Sequence, residues 1–379
     1  MNGLLVVPPI CGTMKNIGDY IQSVAQEQFW GKVDCYVERE KMASFYSAEK
    51  VNLIMQGWFM WTATEFPPSD CINPFFISFH LSPSIANKLM SKKSIEYFKK
   101  HEPIGCRDMG TLRILEQYDI KCYFSGCLTL TLDLHYSSTD KSNNIYITDL
   151  YFELGGSKRY SKTKRLFIIF KQITKNPSKI ANVKNSYSEC KGKAKSIKEK
   201  LMRWCEAASL YYTYSMFFSD DILLKAKYLT HIIDVKGLSE KDKLEKAKEY
   251  IRIYNSAKLV ITSRIHAALP CLAVKTPVIF CTADMLAQNG LEGDAGGRFE
   301  GLIDLMNYIS VTETHSIHCS ESLKPIFETG RISSFTQIPI LKKHMSLSQT
   351  LIKRTAEFVS KCNSGGESER IEEIYHMAA

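Results

Sequence analysis

Arg264 and His266 are the two residues of this sequence whose types and spacing best suit chemistry on an anion. They follow a short β-branched run, and Ser263 directly before them is a residue type that favours the N-cap of a helix. A cation at the first turn of a helix opposes the helix dipole at a cost of about 0.3 to 1 kcal/mol, which a bound anion would remove. The pair therefore indicates either an anion-binding site or an ordinary solvated helix start.

The segment that carries this pair predicts a βαβ unit. Residues 259–261 and 278–280 are short apolar runs typical of buried strands, and a turn at 275–277 separates the second run from the intervening helix. In a parallel βαβ unit the helix starts at the carboxyl end of the first strand, where its free backbone N–H groups favour an anion. Arg264 and His266 are thus predicted to lie at the ligand-binding edge of a sheet.

Further candidate residues lie where other predicted strands end, the edge at which open parallel sheets bind ligands. They are Asn16, Gly18 and Asp19 after the predicted strand at residues 4–7, Gly57 and Trp58 in the strand at residues 51–59, His80 after the strand at residues 75–79, Arg107 after a strand that begins at residue 104, His231 in a strand that begins at residue 228, and Arg298 in a glycine-rich loop. Turn and cap chemistry would also explain Asn16, Gly18 and Asp19. A buried core histidine would explain His80. An ion pair with Asp108, or a role as a helix cap, would explain Arg107 as well as a substrate contact would.

Composition narrows the class of protein. With 379 residues, 45% of them hydrophobic and 23% charged, the chain predicts two globular domains and excludes a disordered or fibrous protein. The twelve cysteines are scattered, and the sequence contains no Cys-x-x-Cys, Walker or Gly-x-Gly-x-x-Gly motif, so we expect no metal and no dinucleotide cofactor. Because residues 1–12 do not form a signal peptide, reduced thiols and a cytoplasmic location are expected.

Positive charge is concentrated in one segment. Residues 157–203 carry fifteen Lys or Arg against two Glu, a local net charge of +13, whereas the whole chain carries +9. The overall charge suggests anionic partners, among which nucleic acid, a membrane surface and phosphorylated metabolites are all open. The segment itself indicates either a solvated helical hairpin or a surface that binds an anionic membrane.

Five motifs that follow one another along the chain resemble motifs of the polysaccharide pyruvyl transferase family. They are Asn-x-Gly-Asp at 16–19, Pro-Ile-Gly-x-Arg-Asp at 103–108, Ser-Gly-Cys-Leu-Thr-Leu-Thr-Leu at 125–132, Thr-Ser-Arg-Ile-His at 262–266 and Arg-Phe-x-Gly-Leu at 298–302. The resemblance covers about residues 10–135 and 228–305. The basic segment lies outside it.

The resemblance implies an α/β chain in which two Rossmann-like domains face a cleft, as in GT-B glycosyltransferases. We expect an acceptor domain at 1–143, a donor domain at 144–335 with the basic helical insertion 157–203, and a C-terminal helix and tail at 336–379. Family members transfer the enolpyruvyl carbons of phosphoenolpyruvate to two hydroxyls of one sugar as a cyclic ketal. The resemblance thus implies phosphoenolpyruvate and a saccharide as partners, with no cofactor and no nucleic acid.

The chemistry assigns roles to the candidate residues. Phosphoenolpyruvate is a compact anion, so Arg264 and Arg298 are expected to bind it, with Ser263 and the helix start beside them. His266 is the candidate acid that protonates the enol carbon, and Asp19 is a candidate base for a sugar hydroxyl. The remaining candidates are expected to bind substrate: Asn16, Gly18, Gly57, Trp58, His80, Arg107 and His231.

The sequence also suggests where in the cell the protein acts, and two alternative functions remain open. Capsule or exopolysaccharide synthesis on an undecaprenyl-diphosphate-linked acceptor would place the protein at the inner face of the cell membrane, with the basic insertion on anionic lipid. One alternative is a GT-B glycosyltransferase that binds a nucleotide sugar through the same Arg-x-His helix. The other is a non-catalytic carbohydrate- or membrane-binding member of such a system.

Overall fold

Two six-stranded sheets carry the residues predicted to form the site. A computed structural model describes residues 1–8, 12–151, 161–192, 194–282, 297–311 and 317–363. The arrangement is a mixed α/β fold of Rossmann-like type, in which helices connect parallel strands.

The first sheet is built from the first third of the chain. The elements there are β1 (Asn2–Val6), β2 (Met14–Asn16), α1 (Ile17–Glu27), β3 (Cys35–Glu38), β4 (Val51–Phe59), β5 (Ile72–Leu81), α2 (Pro83–Leu89), α3 (Lys92–Lys100), β6 (Ile104–Cys106), α4 (Met109–Glu116), β7 (Cys122–Phe124) and α5 (Asp133–Tyr136), with 3-10 turns at Arg39–Lys41, Ala63–Glu65 and Leu128–Thr131. The strand order is β3-β1-β4-β5-β6-β7, and all neighbours are parallel. Because helices cover both faces, consecutive residues such as Leu53, Ile54 and Met55 are buried.

The second sheet contains the predicted βαβ unit. The remaining described elements are β8 (Ile145–Thr148), α6 (Lys162–Lys175), α7 (Pro177–Lys191), α8 (Ile197–Tyr214), α9 (Asp220–Leu223), β9 (Lys227–Leu229), β10 (Ile232–Asp234), α10 (Glu240–Ser256), β11 (Leu259–Thr262), α11 (Ile265–Ala273), β12 (Val278–Thr282), β13 (Asn307–Ser310), β14 (His318–Cys319), α12 (Lys324–Thr329) and α13 (Met345–Asn363), with 3-10 turns at Ile303–Leu305 and Glu321–Leu323. The order is β14-β13-β12-β11-β8-β9, parallel except for β13 and β14. The prediction of β11, α11 and β12 is confirmed.

A two-stranded ribbon connects the two halves of the chain. Strand β2 pairs antiparallel with β10, so that Asn16 lies opposite Ile232. At the end of the ribbon the N–H of Ile17 donates to the carbonyl of His231 at 2.7 Å. Strand β2 and the start of α1 are thereby held against the segment that follows β9.

Helices between the sheets form a shared apolar core. Helix α1 packs against α10 and α11, and Tyr20, Ile21, Ile251 and Leu269 belong to one buried cluster. The apolar stripe of α10 is buried and consists of Leu244, Ala247, Ile251 and Tyr254. The C-terminal helix α13 returns to the first sheet, where Phe358 stacks on Phe75 with ring centroids 4.8 Å apart.

The sequence of residues 122–132 predicts an extended segment, but the strand ends at Phe124. Leu128–Thr131 forms a 3-10 turn, and Gly126 adopts φ +72°. The alternating Leu and Thr residues look like a strand with one buried face, but all four residues of the turn are buried because α11 and α13 both pack against it. With both faces buried, alternation carries no information about the local conformation.

Two histidines occupy positions that differ from those predicted. His231 does not end a strand, because Thr230 and His231 form the link between β9 in the second sheet and β10 in the ribbon. His80 lies inside β5, one residue before its end, rather than after it.

The basic segment forms helices, as predicted, but only part of it is solvated. Ile180, Val183 and Tyr187 of α7 are buried in the core beside the second sheet. Helix α6 instead exposes Leu166, Phe167 and Phe170. None of the described helices is both long and apolar enough to cross a membrane.

Candidate active site

The carboxyl ends of β2, β9 and β11 enclose a cavity of about 130 Å³. Six predicted residues line it, together with Ile265 and Phe299: Asn16, His231, Ser263, Arg264, His266 and Arg298. They come from four separate stretches of the chain, and the ribbon of β2 and β10 is what brings Asn16 and His231 to the start of α11.

Arg264 is the N-cap residue of α11, and its side chain is held by a carboxylate. Its N–H donates to Thr262 Oγ1 at 2.9 Å, and its Nε donates to Asp149 Oδ2 at 3.0 Å. The same carboxylate oxygen accepts from the N–H of His231 at 2.8 Å. Asp149 therefore fixes Arg264 while it engages only one of the five N–H groups of the guanidinium.

Ser263 does not cap the helix, so this prediction is wrong. Its hydroxyl donates to the carbonyl of Cys281 at 2.6 Å and accepts from the N–H of Tyr151 at 3.0 Å. Ser263 thus joins the ends of β8, β11 and β12. The cap site is taken by Arg264, whose side chain makes no capping hydrogen bond.

His266 lies in the first turn of α11 and is 7% exposed. Its Nε2 is buried and has no hydrogen-bond partner among the described residues. Burial, followed by the charges of Arg107 and Arg298, holds the pKa of His266 well below its ordinary value. The imidazole is therefore neutral in the unliganded site, with a nitrogen available for a new partner.

The buried Arg107 and the half-buried Arg298 both have guanidinium donors for which the described residues offer no acceptor. Arg107 is 1% exposed, and its Nε and Nη2 make no hydrogen bond within the described part of the chain, although Nε lies 3.3 Å from Asp108 Oδ2. The buried Nε of Arg298 likewise has no partner among the described residues, and burial lowers the pKa of Arg298 to about 10, with the charge of Arg107 as the next cause. Buried charged donors without acceptors are costly, so this arrangement favours a bound anion.

His80 and Asp108 form a buried pair behind the arginines. His80 Nδ1 lies 2.6 Å from Asp108 Oδ2, and the other carboxylate oxygen accepts from the Thr111 N–H at 3.0 Å and so caps α4. Burial lowers the pKa of His80 to about 4, with Arg107 as a further cause. Burial alone would raise the pKa of Asp108, but His80 and Arg107 hold it below its ordinary value. Because a carboxylate only accepts, Nδ1 of His80 carries the proton.

The predicted ion pair of Arg107 with Asp108 is present, whereas the helix cap is Asp108 and not Arg107. The charge of Arg107 also lowers the pKa of His266. The structural and functional explanations of Arg107 are therefore compatible.

His231 is buried beside Gly18. Its Nε2 lies 2.6 Å from the hydroxyl of Tyr254, and burial, with Arg264 as a lesser cause, lowers its pKa to about 4. A Cβ atom on Gly18 would lie 3.0 Å from His231 Nδ1 and 3.2 Å from His266 Cβ. Gly18 thus allows the close approach of both histidines, while Asn16 caps α1 by accepting from the Gly18 N–H at 3.1 Å.

Asp19, Gly57 and Trp58 line a different and much narrower crevice of about 10 Å³. The guanidinium of the buried Arg39 lies 4.8 Å from the centre of the Trp58 ring and covers it. The carboxylate of Asp19 nevertheless acts on Arg298, where it opposes the lowering of the arginine pKa. Asp19 therefore belongs to the electrostatic surroundings of the cavity without lining it.

Asp149 and Tyr254 contact residues of the site and were missed by sequence reasoning, which considered Asp108 only as an ion-pair partner of Arg107. Lys15 was also missed; it is a buried lysine whose Nζ donates to the carbonyl of Pro8 at 2.9 Å and whose pKa burial lowers to about 8. An acidic residue directly after a β-branched run was a usable signal for Asp149. Among the described residues, no group of three His, Cys, Asp or Glu side chains is placed to hold a metal ion.

These observations define an α/β protein with a buried cationic site at a helix start, where parallel strands end. The chain belongs to the polysaccharide pyruvyl transferase family, because the family model matches residues 66–284, more than half of its length. Membership makes the protein a transferase with a saccharide acceptor. The matched span includes Arg107, Arg264, His266 and the basic insertion. It excludes Asp19 and Arg298.

Comparisons with individual proteins add little. A solved structure of a protein described as functional uncharacterized, from Klebsiella pneumoniae subsp. pneumoniae, is similar with 12% sequence identity and a TM-score of 0.36. The similarity covers 79% of this chain and 86% of that chain, and at this TM-score it supports no argument. No curated protein matches the chain.

Proposed function

We propose that this protein transfers pyruvate from phosphoenolpyruvate to two hydroxyls of a sugar as a cyclic ketal, and that the donor binds in the cavity of about 130 Å³ at the start of α11. The observation that carries the proposal is the set of buried donors on Arg107 and Arg298 that find no acceptor among the described residues. Phosphate and carboxylate oxygens would satisfy them, with the fork geometry of arginine suited to both groups. The volume favours a small donor over a nucleotide sugar.

In the proposed reaction, His266 is neutral until the donor binds and is protonated once the donor is bound. A bound trianion offsets the positive charges of Arg107 and Arg298, so the pKa of His266 rises and its unpaired Nε2 takes up a proton. The imidazolium then protonates the methylene carbon of the enol. One sugar hydroxyl attacks C2 and a second displaces phosphate. One hydroxyl proton returns to the imidazole and the other leaves with the phosphate.

Asp19 is proposed as the base that receives a hydroxyl proton before it is passed on. The support for this role is indirect. The charge of Asp19 raises the pKa of Arg298, but its side chain lines the neighbouring crevice and not the cavity. The remaining site residues are proposed to position the donor: Asn16, Gly18, Ser263 and His231 around the cavity, and His80 through its contact with Asp108.

The two-domain arrangement expected from the sequence forms part of the same proposal. Each sheet would be the centre of one domain, 1–143 and 144–335, in a GT-B-like pair, followed by the helix and tail of 336–379. Support comes from the chain segments that build the two sheets, residues 2–124 and 145–319. The shared core along α1, α10 and α11 would limit relative motion of the two domains.

The proposed setting is the inner face of a cell membrane, in capsule or exopolysaccharide synthesis on an undecaprenyl-diphosphate-linked sugar. Its support is the surface of the basic insertion, where large apolar side chains of α6 and α8 are exposed among lysines and arginines. Such a surface suits an anionic lipid bilayer.

The decisive experiment incubates the purified protein with phosphoenolpyruvate and a panel of galactosides, mannosides and lipid-linked sugars, and follows phosphate release. We expect release that depends on one class of acceptor, together with an acid-labile pyruvate ketal in the product. Labelled nucleotide sugars serve as the competing arm. Transfer from a nucleotide sugar, with no phosphate released from phosphoenolpyruvate, would contradict the proposal.

A further inference from the structure

A second and larger cavity, of about 1010 Å³, lies beside the proposed donor site. One wall is formed where strands end, by residues such as Asp149 and Asp234, and the other by α7 and α8 of the basic insertion, with Tyr187 and Met202. Ser263 and Arg264 line both cavities. The two spaces therefore meet at the first turn of α11.

The lining of the larger cavity is balanced in charge. Among the described lining residues, four lysines or arginines stand against four aspartates or glutamates. Several of these charges are already paired, as in the contact of 3.5 Å between Lys191 and Glu206. The cavity therefore does not select a strongly charged ligand, although it lies within the most basic part of the chain.

The same lining offers both partners that sugar hydroxyls need. Carboxylates accept hydrogen bonds, ammonium and guanidinium groups donate them, and each hydroxyl does both. Tyr151 adds aromatic surface on which the apolar face of a sugar ring can pack. Pockets that bury ligands of drug size measure about 300 to 1,000 Å³, so this cavity has room for more than one sugar ring.

We propose that this cavity binds the acceptor, as a neutral segment of several sugars, and presents two hydroxyls of one ring to the donor at Arg264 and His266. The proposal rests on the proposed function for the identity of the donor. It also moves the acceptor away from Gly57 and Trp58, where the crevice of about 10 Å³ has room for about one water molecule. The basic insertion would then supply one wall of the acceptor site.

The test uses two neighbouring residues of α8. Met202 lines the cavity and is 49% exposed, whereas Leu201 is 65% exposed and does not line it, so Met202→Trp fills the cavity and Leu201→Trp is the matched control. With neutral galactose or mannose tetrasaccharides, we expect Met202→Trp to raise the acceptor KM at least tenfold and Leu201→Trp to leave it unchanged. Phosphoenolpyruvate affinity, measured by calorimetry, should stay the same in both variants.

Asp234→Ala provides a second variant on the opposite wall, at an exposed residue of β10, and should also raise the acceptor KM. Trp58→Ala should leave it unchanged. A higher acceptor KM in Trp58→Ala with a normal one in Met202→Trp would overturn the proposal and place the acceptor in the first half of the chain. The soluble acceptors keep membrane binding out of the comparison.

Direct saccharide binding separates this proposal from the proposed function. If the protein does not bind phosphoenolpyruvate but binds the tetrasaccharide, and Met202→Trp abolishes that binding, the proposed function fails and the cavity assignment stands. If phosphoenolpyruvate binds normally while tetrasaccharide binding is the same in the wild type and in Met202→Trp, the cavity assignment fails alone.

Discussion

At the residue scale, Arg264 and His266 lie on one helical turn but have different surroundings. Arg264 is held by Asp149 through Nε, while the buried Nε2 of His266 has no hydrogen-bond partner in the described part of the chain. We expect Arg264→Lys to keep a positive charge but lose the bidentate fork, and to weaken phosphoenolpyruvate binding about tenfold or more with a smaller effect on kcat. Calorimetric titration measures this, with Arg252→Lys on the exposed side of α10 as control.

His266→Gln should give the opposite pattern. Glutamine can donate a hydrogen bond to phosphate but cannot deliver a proton, so kcat should fall by about 10²- to 10⁴-fold with a modest change in KM. Steady-state kinetics with both substrates varied makes the measurement, and near-ultraviolet circular dichroism checks that the variant is folded. A raised KM with nearly normal kcat would reduce His266 to a ligand, and His80 and His231 would be the next residues to test.

Donor binding should be accompanied by proton uptake at His266. Burial and the neighbouring arginines hold the pKa of the free histidine well below its ordinary value, and a bound anion raises it. Between these two pKa values the complex binds one proton more than the free protein, so affinity falls as pH rises through the pKa of the complex. Calorimetry in two buffers of different ionisation enthalpy measures the uptake. His266→Gln should abolish it, and equal enthalpies in both buffers for the wild type would contradict the assignment.

At the element scale, Gly18 tests the contact between α1 and α11. Gly18→Ala adds a Cβ 3.0 Å from His231 Nδ1 and 3.2 Å from His266 Cβ, so the histidines must shift, whereas alanine favours the helix by about 0.5 to 1 kcal/mol. We expect the melting temperature to change little and kcat/KM to fall at least tenfold. Thermal unfolding and kinetics on the same sample check this. Unchanged kinetics would mean that the contact between α1 and α11 has room to adjust.

The same elements show what the sequence could predict. The β11-α11-β12 unit was recognisable because its strands are short apolar runs bounded by turn residues, and such patterns depend on neighbours in sequence. The pairing of Arg264 with Asp149 joins residues 115 positions apart, and Asp149 adopts φ +42°, so no local pattern indicates it. The ribbon that places Asn16 beside His231 is also a long-range pairing, of two strands of three residues each.

At the scale of the whole molecule, charge and exposed apolar surface coincide. The sequence indicated the basic insertion by composition, but which of its apolar residues face solvent depends on how α6, α7 and α8 pack. Helix α7 covers the core, whereas α6 and α8 present exposed apolar side chains, between 49% and 85% accessible: Leu166, Phe167, Phe170, Ile197, Leu201 and Met202. Lysines and arginines flank them on both helices. This combination of charge and exposed apolar surface supports the proposed contact with an anionic membrane.

We therefore expect the protein to bind anionic vesicles through both charge and apolar insertion. Each basic residue at such a surface contributes about 1 kcal/mol within a Debye length, which salt screens, whereas burial of Phe167 and Phe170 in the interface is insensitive to salt. Flotation with phosphatidylserine vesicles should recover the wild type strongly at low salt and partly at high salt. Phe167→Ser with Phe170→Ser should lose the salt-resistant part, while Phe335→Ser, an exposed aromatic residue outside the insertion, should not. Equal recovery of the wild type on neutral and anionic vesicles would contradict an electrostatic contribution, and recovery of the double variant equal to that of the wild type would show that these two phenylalanines do not enter the bilayer.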